Sequence, residues 1–114
     1  MLNQQDLDAV RALQRPGRPD ILQQLVRTYL ASSAKLVEDI QAAVLTHDFS
    51  ALRLAAHSMK SSSRVLGARS LADLCQQLET AAVHELAQDC DALCGLLKPE
   101  YDHVIADMQT LLLG

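Results

Sequence analysis

Aromatic side chains are nearly missing from this chain: no tryptophan, one phenylalanine and two tyrosines, 3% in all. Strands draw on aromatic and β-branched residues, so a sheet-based fold is disfavoured. Glycine (4) and proline (3) are also scarce, which leaves few places for tight turns or helix breaks. Three cysteines are too few, and the wrong parity, for a disulfide framework. Cys90 and Cys94 stand one helical turn apart, but they and Cys75 fall on apolar stripes and read as small core hydrophobes. No apolar run approaches the length of a membrane span. The N-terminus, MLNQQDLDAV, lacks the apolar centre of a secretory signal. The expected location is therefore the cytoplasm, with no membrane partner. Ten Lys and Arg stand against 14 Asp and Glu, a net charge of −4, so a nucleic-acid partner is disfavoured too.

What the chain does have is leucine and alanine in helical rhythm. Hydrophobic residues make up 49% of its 114 positions, enough for one globular domain over 1–114 with a core of its own. Leu7, Val10 and Leu13 mark a short first helix over Gln4 to Gln14, with Asn3 able to cap it. RPGRP, Arg15 to Pro19, then makes a loop. Asp20 opens a long helix reaching His47, with Ile21, Leu22, Leu25, Tyr29, Ser33, Leu36, Val37, Ile40 and Val44 along one face. Asp48 caps a third helix that closes at Gly67. A fourth runs from Arg69 to His84, where Ser70 and Asp73 have capping-box spacing. In the last segment Cys90, Leu93, Cys94, Leu97, Tyr101, Val104, Met108 and Leu111 form one seam, and Pro99 lies inside it. A proline there predicts a kink, or two helices joined at Lys98. Long helices on short connections make antiparallel neighbours. The expected fold is all-α, an up-down-up-down four-helix bundle with a short extra helix at the N-terminus.

The third helix, DFSALRLAAHSMKSSSRVLG, carries the candidate chemistry. Its apolar stripe is Phe49, Leu52, Ala56, Met59 and Leu66, and His57 stands off it. Helical neighbours on the face of His57 are Arg53, Lys60, Ser61 and Arg64. A histidine that accepts a phosphoryl group must be neutral, exposed and free of bulky neighbours, with cations near to steady phosphate oxygens. Arg53, Lys60 and Arg64 would oppose an imidazolium by like-charge repulsion and attract a phosphoryl group. Ser58, Ser61, Ala55 and Ala56 keep the helix slim. The ring also needs a partner for its second nitrogen. Glu79, one step off the buried stripe of the fourth helix, is placed to accept from Nδ1 and leave Nε2 as nucleophile. A lone surface histidine on a solvated basic face is also a common feature without function, and a bundle serving only as an interaction scaffold is the competing reading. Such a scaffold would bind its partner equally with or without His57. His47, His84 and His103 share no ligand spacing with other residues, so no metal site is expected.

These residues make the chain resemble the histidine-containing phosphotransfer (HPt) domains of multistep phosphorelays. The resemblance is carried by AHSMKSSSRVLGARSLADLCQQLE, Ala56 to Glu79: the histidine, the lysine three later, Leu66-Gly67-Ala68, and Cys75 to Glu79. It implies that His57 is phosphorylated, that Lys60 contacts the phosphoryl oxygens, and that Glu79 takes the place of a Glu or Gln that orients the ring. Partners would be receiver domains of response regulators, or a hybrid sensor histidine kinase. The Mg²⁺ for transfer would sit on the receiver, leaving this chain a monomeric carrier with no cofactor and no enzyme activity of its own. No glycine-rich nucleotide loop is present. Nor is the His-Glu-[Leu/Ile]-Arg-x-Pro run of kinase dimerisation helices, since Ser58 follows His57. Met59 departs from a frequent leucine, and Ser61 from a common glycine beside the histidine. Apolar docking contacts are expected from the first helix, at Leu7, Val10 or Leu13.

Overall fold

Helices begin here where a side chain can take up their unpaired N–H groups. Asn3 Oδ1 accepts from Asp6 N at 2.9 Å, Asp20 Oδ1 from Gln23 N at 3.1 Å, and Asp48 Oδ1 from Ala51 N at 3.0 Å. They open α1 (Gln4–Arg11), α2 (Ile21–Leu45) and α3 (Phe49–Val65), which α4 (Arg69–Val83) and α5 (Ala87–Leu113) follow. The computed structural model describes residues 1–114, and every regular element is helical. The four long helices form a closed ring, α2 against α3, α3 against α4, α4 against α5 and α5 against α2, while α1 lies on α2 and α3. The bundle measures 48 × 22 × 21 Å. Its interior is mostly aliphatic, with Leu7, Ile40, Leu52, Met59, Leu71, Leu78, Leu97 and Met108 wholly buried. Two buried hydroxyl pairs tie α2 to its neighbours, Tyr29 with Ser63 of α3 at 2.9 Å and Ser33 with Tyr101 of α5 at 2.7 Å.

The three connections between long helices are one device used three times. Each is three residues long, 46–48, 66–68 and 84–86, with the middle residue left-handed: His47 and Glu85 at φ +54°, Gly67 at +79°. In each, the third residue donates back across the turn, Asp48 N to Ala43 O, Ala68 N to Ser63 O and Leu86 N to Ala81 O, all at 2.9 Å. This is the Schellman closure of a helix end. Glutamate pays a steric cost for that conformation, and its side chain at position 85 is exposed and unbonded. Glu85→Gly is therefore expected to stabilise the fold by about 1 kcal/mol, raising the thermal midpoint by roughly 4 °C or more. An unchanged melt would show that the turn is not strained.

Three sequence expectations need correction. The first helix ends at Arg11 rather than Gln14, because Gln14 serves the loop: its Nε2 donates to the carbonyls of Arg15, Arg18 and Pro19, and its Oε1 accepts from Ile21 N at 2.7 Å. Ser70 does not cap α4. The cap position is Ala68, without a side-chain hydrogen bond, because the closure at Gly67 starts α4 at once. Arg69 instead grips Asp6 of α1 through Nε and Nη2 at 2.7 and 2.8 Å. Finally, α5 is one helix with Pro99 inside it, not two joined at Lys98. Pro99 is exposed, and the carbonyl left without its donor belongs to Gly95, also exposed and with open space around it. Water can serve that carbonyl, while Leu97, Tyr101, Val104 and Met108 carry the buried seam past the proline.

Candidate functional site

Antiparallel packing of α3 on α4 brings His57 opposite Glu79 and, one turn further, Lys60 opposite Gln76. His57 Nδ1 lies 2.9 Å from Glu79 Oε2. An ionised carboxylate can only accept, so Nδ1 carries a proton, and in the neutral ring the lone pair is then on Nε2. The His57 side chain is 60% exposed, whereas Glu79 beneath it is 18% exposed. The other carboxylate oxygen, Oε1, accepts from Lys60 Nζ at 3.1 Å. Lys60 donates a second bond to Gln76 Oε1 at 2.9 Å, and Gln76 Nε2 donates to Thr80 Oγ1 at 3.2 Å.

Lys60 therefore differs from its sequence expectation. It does not stand on the wet face around His57, because α4 covers that flank and leaves its side chain 11% exposed. Arg53 and Arg64 do remain exposed on either side of the histidine. Five of the other cations are paired, Arg11, Lys35, Lys60, Arg69 and Lys98, but these two arginines are not. Ser61 is exposed, and its hydroxyl donates to the His57 carbonyl at 3.2 Å, so it lies against its own helix. Of the apolar docking candidates, Leu7 and Val10 are core residues, 0% and 4% exposed, and Leu13 alone is on the surface at 63%. A groove between α2 and α3 lined by Leu36, Leu54, Ala55 and Ser58 runs beside the histidine. Gln76 and Thr80 escaped the sequence reading. The signal for Gln76 was present: three residues forward from His57 on one helix meets three residues back from Glu79 on an antiparallel neighbour.

Burial alone would raise the Glu79 carboxyl. Hydrogen bonds from Lys60 and His57, and the charges behind them, outweigh it and hold the group below the ordinary carboxylate value. A group whose folded value lies below its unfolded one stabilises the fold above the unfolded value, and that stability is lost as pH falls through the folded one. Urea denaturation should thus show wild type more stable than Glu79→Gln at neutral pH, with the gap closing as pH falls below about 4. A gap independent of pH would show that the charge on Glu79 is not what holds the network. Under the site, burial pushes the Cys75 thiol up to about 12, helped by Glu79 and opposed by Lys60, so it is an inert core group.

Comparison with known proteins gives the same picture. The pattern of the Hpt domain matches residues 24–111. The structure is similar to the crystal structure of histidine-containing phosphotransfer protein B from Pseudomonas aeruginosa PAO1, with a TM-score of 0.86 and 28% identity over 96% of this chain and 91% of that one. A search of curated proteins finds no match. The family pattern spans most of the chain, the bundle superimposes on a solved phosphotransfer protein, and the chain belongs to the Hpt family, the histidine phosphotransfer domains of phosphorelays.

Proposed function

We propose that His57 is the phosphoryl acceptor, taking the group from the aspartyl phosphate of one receiver domain and passing it to the aspartate of another. The observation that carries this reading is the ring itself: Nδ1 is held by Glu79 at 2.9 Å while the side chain is 60% exposed. In the forward step the Nε2 lone pair attacks phosphorus. The N–P bond forms as the bond from phosphorus to the aspartyl oxygen breaks, and the aspartate leaves as a carboxylate. Nδ1 keeps its proton throughout, bonded to Glu79, and the return step reverses these bonds. Arg53 and Arg64 flank the acceptor and favour approach of an acidic, phosphorylated surface. Lys60 Nζ spends two of its three N–H donors on Glu79 and Gln76, and contact with the phosphoryl oxygens is the role that the resemblance implies for it.

The chain in this reading is a single-domain, monomeric carrier acting in the cytoplasm. It contributes a nucleophile and its positioning, needs no cofactor, and relies on the receiver for Mg²⁺. No helix is long and apolar enough to cross a membrane. Incubation with a phosphorylated receiver should give a label that is stable in alkali and labile in acid, located on His57 by peptide mass mapping at high pH. Label on His47, His84 or His103 instead would overturn the assignment.

A further inference from the structure

Fixing the Nδ1 proton of His57 requires only an acceptor, and a neutral amide would serve as well as a carboxylate. A carboxylate does more. Its charge also favours a second proton on Nε2, the atom that must attack. This chain has the carboxylate, and the structure shows what offsets it. While Glu79 Oε2 holds the ring at 2.9 Å, Glu79 Oε1 lies 3.1 Å from Lys60 Nζ. The ammonium is secured by Gln76 Oε1 at 2.9 Å, and Gln76 in turn by its bond to Thr80. With 11% of its side chain exposed, Lys60 is aimed at α4 rather than at the solvent where a receiver would bring its phosphate.

We propose that Lys60 is a positioning residue that works through Glu79: it offsets the carboxylate charge, so that Glu79 holds Nδ1–H without drawing a proton onto Nε2. Toward the imidazole, the Lys60–Glu79 pair then behaves as a neutral acceptor. The inference rests on His57 being the acceptor. The surroundings leave Lys60 alone in this task. On α3, Arg53 and Arg64 are exposed to solvent. On α4, the Cys75 thiol stays uncharged. Asp39 of α2 and Asp89 of α5 line the grooves beside Ser58 and Gln76, and neither bonds to the triad. Among the groups that lower Glu79, the Lys60 hydrogen bond outranks that of His57.

The test is the pH–rate profile of phosphoryl uptake from a phosphorylated receiver, for wild type, K60M, E79Q and K60M/E79Q. Methionine fills the space of the lysine stem, so K60M keeps the packing. In K60M the unbalanced carboxylate should move the profile midpoint up by about one pH unit and slow uptake below the midpoint by about tenfold. In K60M/E79Q the midpoint and most of the rate should return, because the charge that Lys60 offsets is gone. A purely structural role would lower the rate without moving the midpoint. If K60M costs the same factor in the E79Q background with no midpoint shift, Lys60 acts on the phosphoryl group directly and the proposal falls. Uptake that persists in H57Q is a separate outcome and overturns the acceptor assignment on which the inference stands.

Discussion

His57→Gln is expected to abolish labelling by a phosphorylated receiver and leave the bundle folded. Glutamine has no nucleophilic ring nitrogen, and nothing else nearby can take its place: Lys60 is buried in ion-pair contact and Ser61 is bonded to the helix backbone. The loss should exceed about 10³-fold, the usual cost of removing a nucleophile. Stability is a separate matter. The His57 side chain is 60% exposed and makes one hydrogen bond, to a carboxylate that keeps Lys60 as partner. Its removal should change the unfolding free energy by less than about 1 kcal/mol. Labelling read beside a thermal melt separates the two effects. A variant that melts like wild type and still takes up label would transfer the function to another residue. A variant that fails to fold would show that the His57–Glu79 bond holds α3 on α4, contrary to the geometry.

Gly67→Ala is expected to carry the largest stability cost among the helix-connecting turns, because Gly67 is buried. The middle residue of the α3–α4 turn is left-handed at φ +79°, which penalises alanine by roughly 1–2 kcal/mol. The same penalty is tolerated at His47 and Glu85, and here it does not stand alone. A Cβ on Gly67 would lie 2.8 Å from both the N and the O of Asn3. Those are backbone atoms, and they are committed: Asn3 N donates to Gly67 O at 2.8 Å, and Asn3 caps α1. Relieving the overlap means lifting α1 from the α3–α4 corner, against the bidentate Arg69–Asp6 pair that clamps it there. The combined cost should reach about 3 kcal/mol or more, a fall in thermal midpoint on the order of 10 °C. Gly67→Ala and Glu85→Gly thus act in opposite directions at the same position of the same motif. A loss near that of an ordinary left-handed alanine, about 1 kcal/mol, would show that α1 yields easily.

Much of this was legible in the sequence because it is local. Asn3, Asp20 and Asp48 cap helices because an oxygen on a short side chain reaches N–H groups within one turn, whatever lies beyond. Apolar residues at steps of three and four place the buried face, and all five stripe residues of α4, Leu71, Leu74, Cys75, Leu78 and Ala82, are buried. His57 stands off its stripe and is exposed for the same reason. Even Glu79 as its partner could be anticipated, since antiparallel neighbours on a three-residue turn have little freedom of register.

Only the tertiary structure decided the rest. Helical spacing places Lys60 on the same face as His57, but spacing has no knowledge of where the next helix lies; α4 covers that flank and turns a surface cation into the buried partner of Glu79. Propensity warns against Pro99, yet the outcome depends on whether Gly95 faces water, and it does. Gly67 looks like one more helix end until Asn3 arrives from the far side of the chain and occupies the space a side chain would need. By itself the sequence determined the five helices, the caps of the first three and the exposed histidine, all set by interactions within a turn or two of the chain. Which charges are paired, which proline is harmless and which glycine cannot be replaced were decided by contacts between residues far apart in sequence, where the outcome turns on a few ångströms of approach that no periodicity encodes.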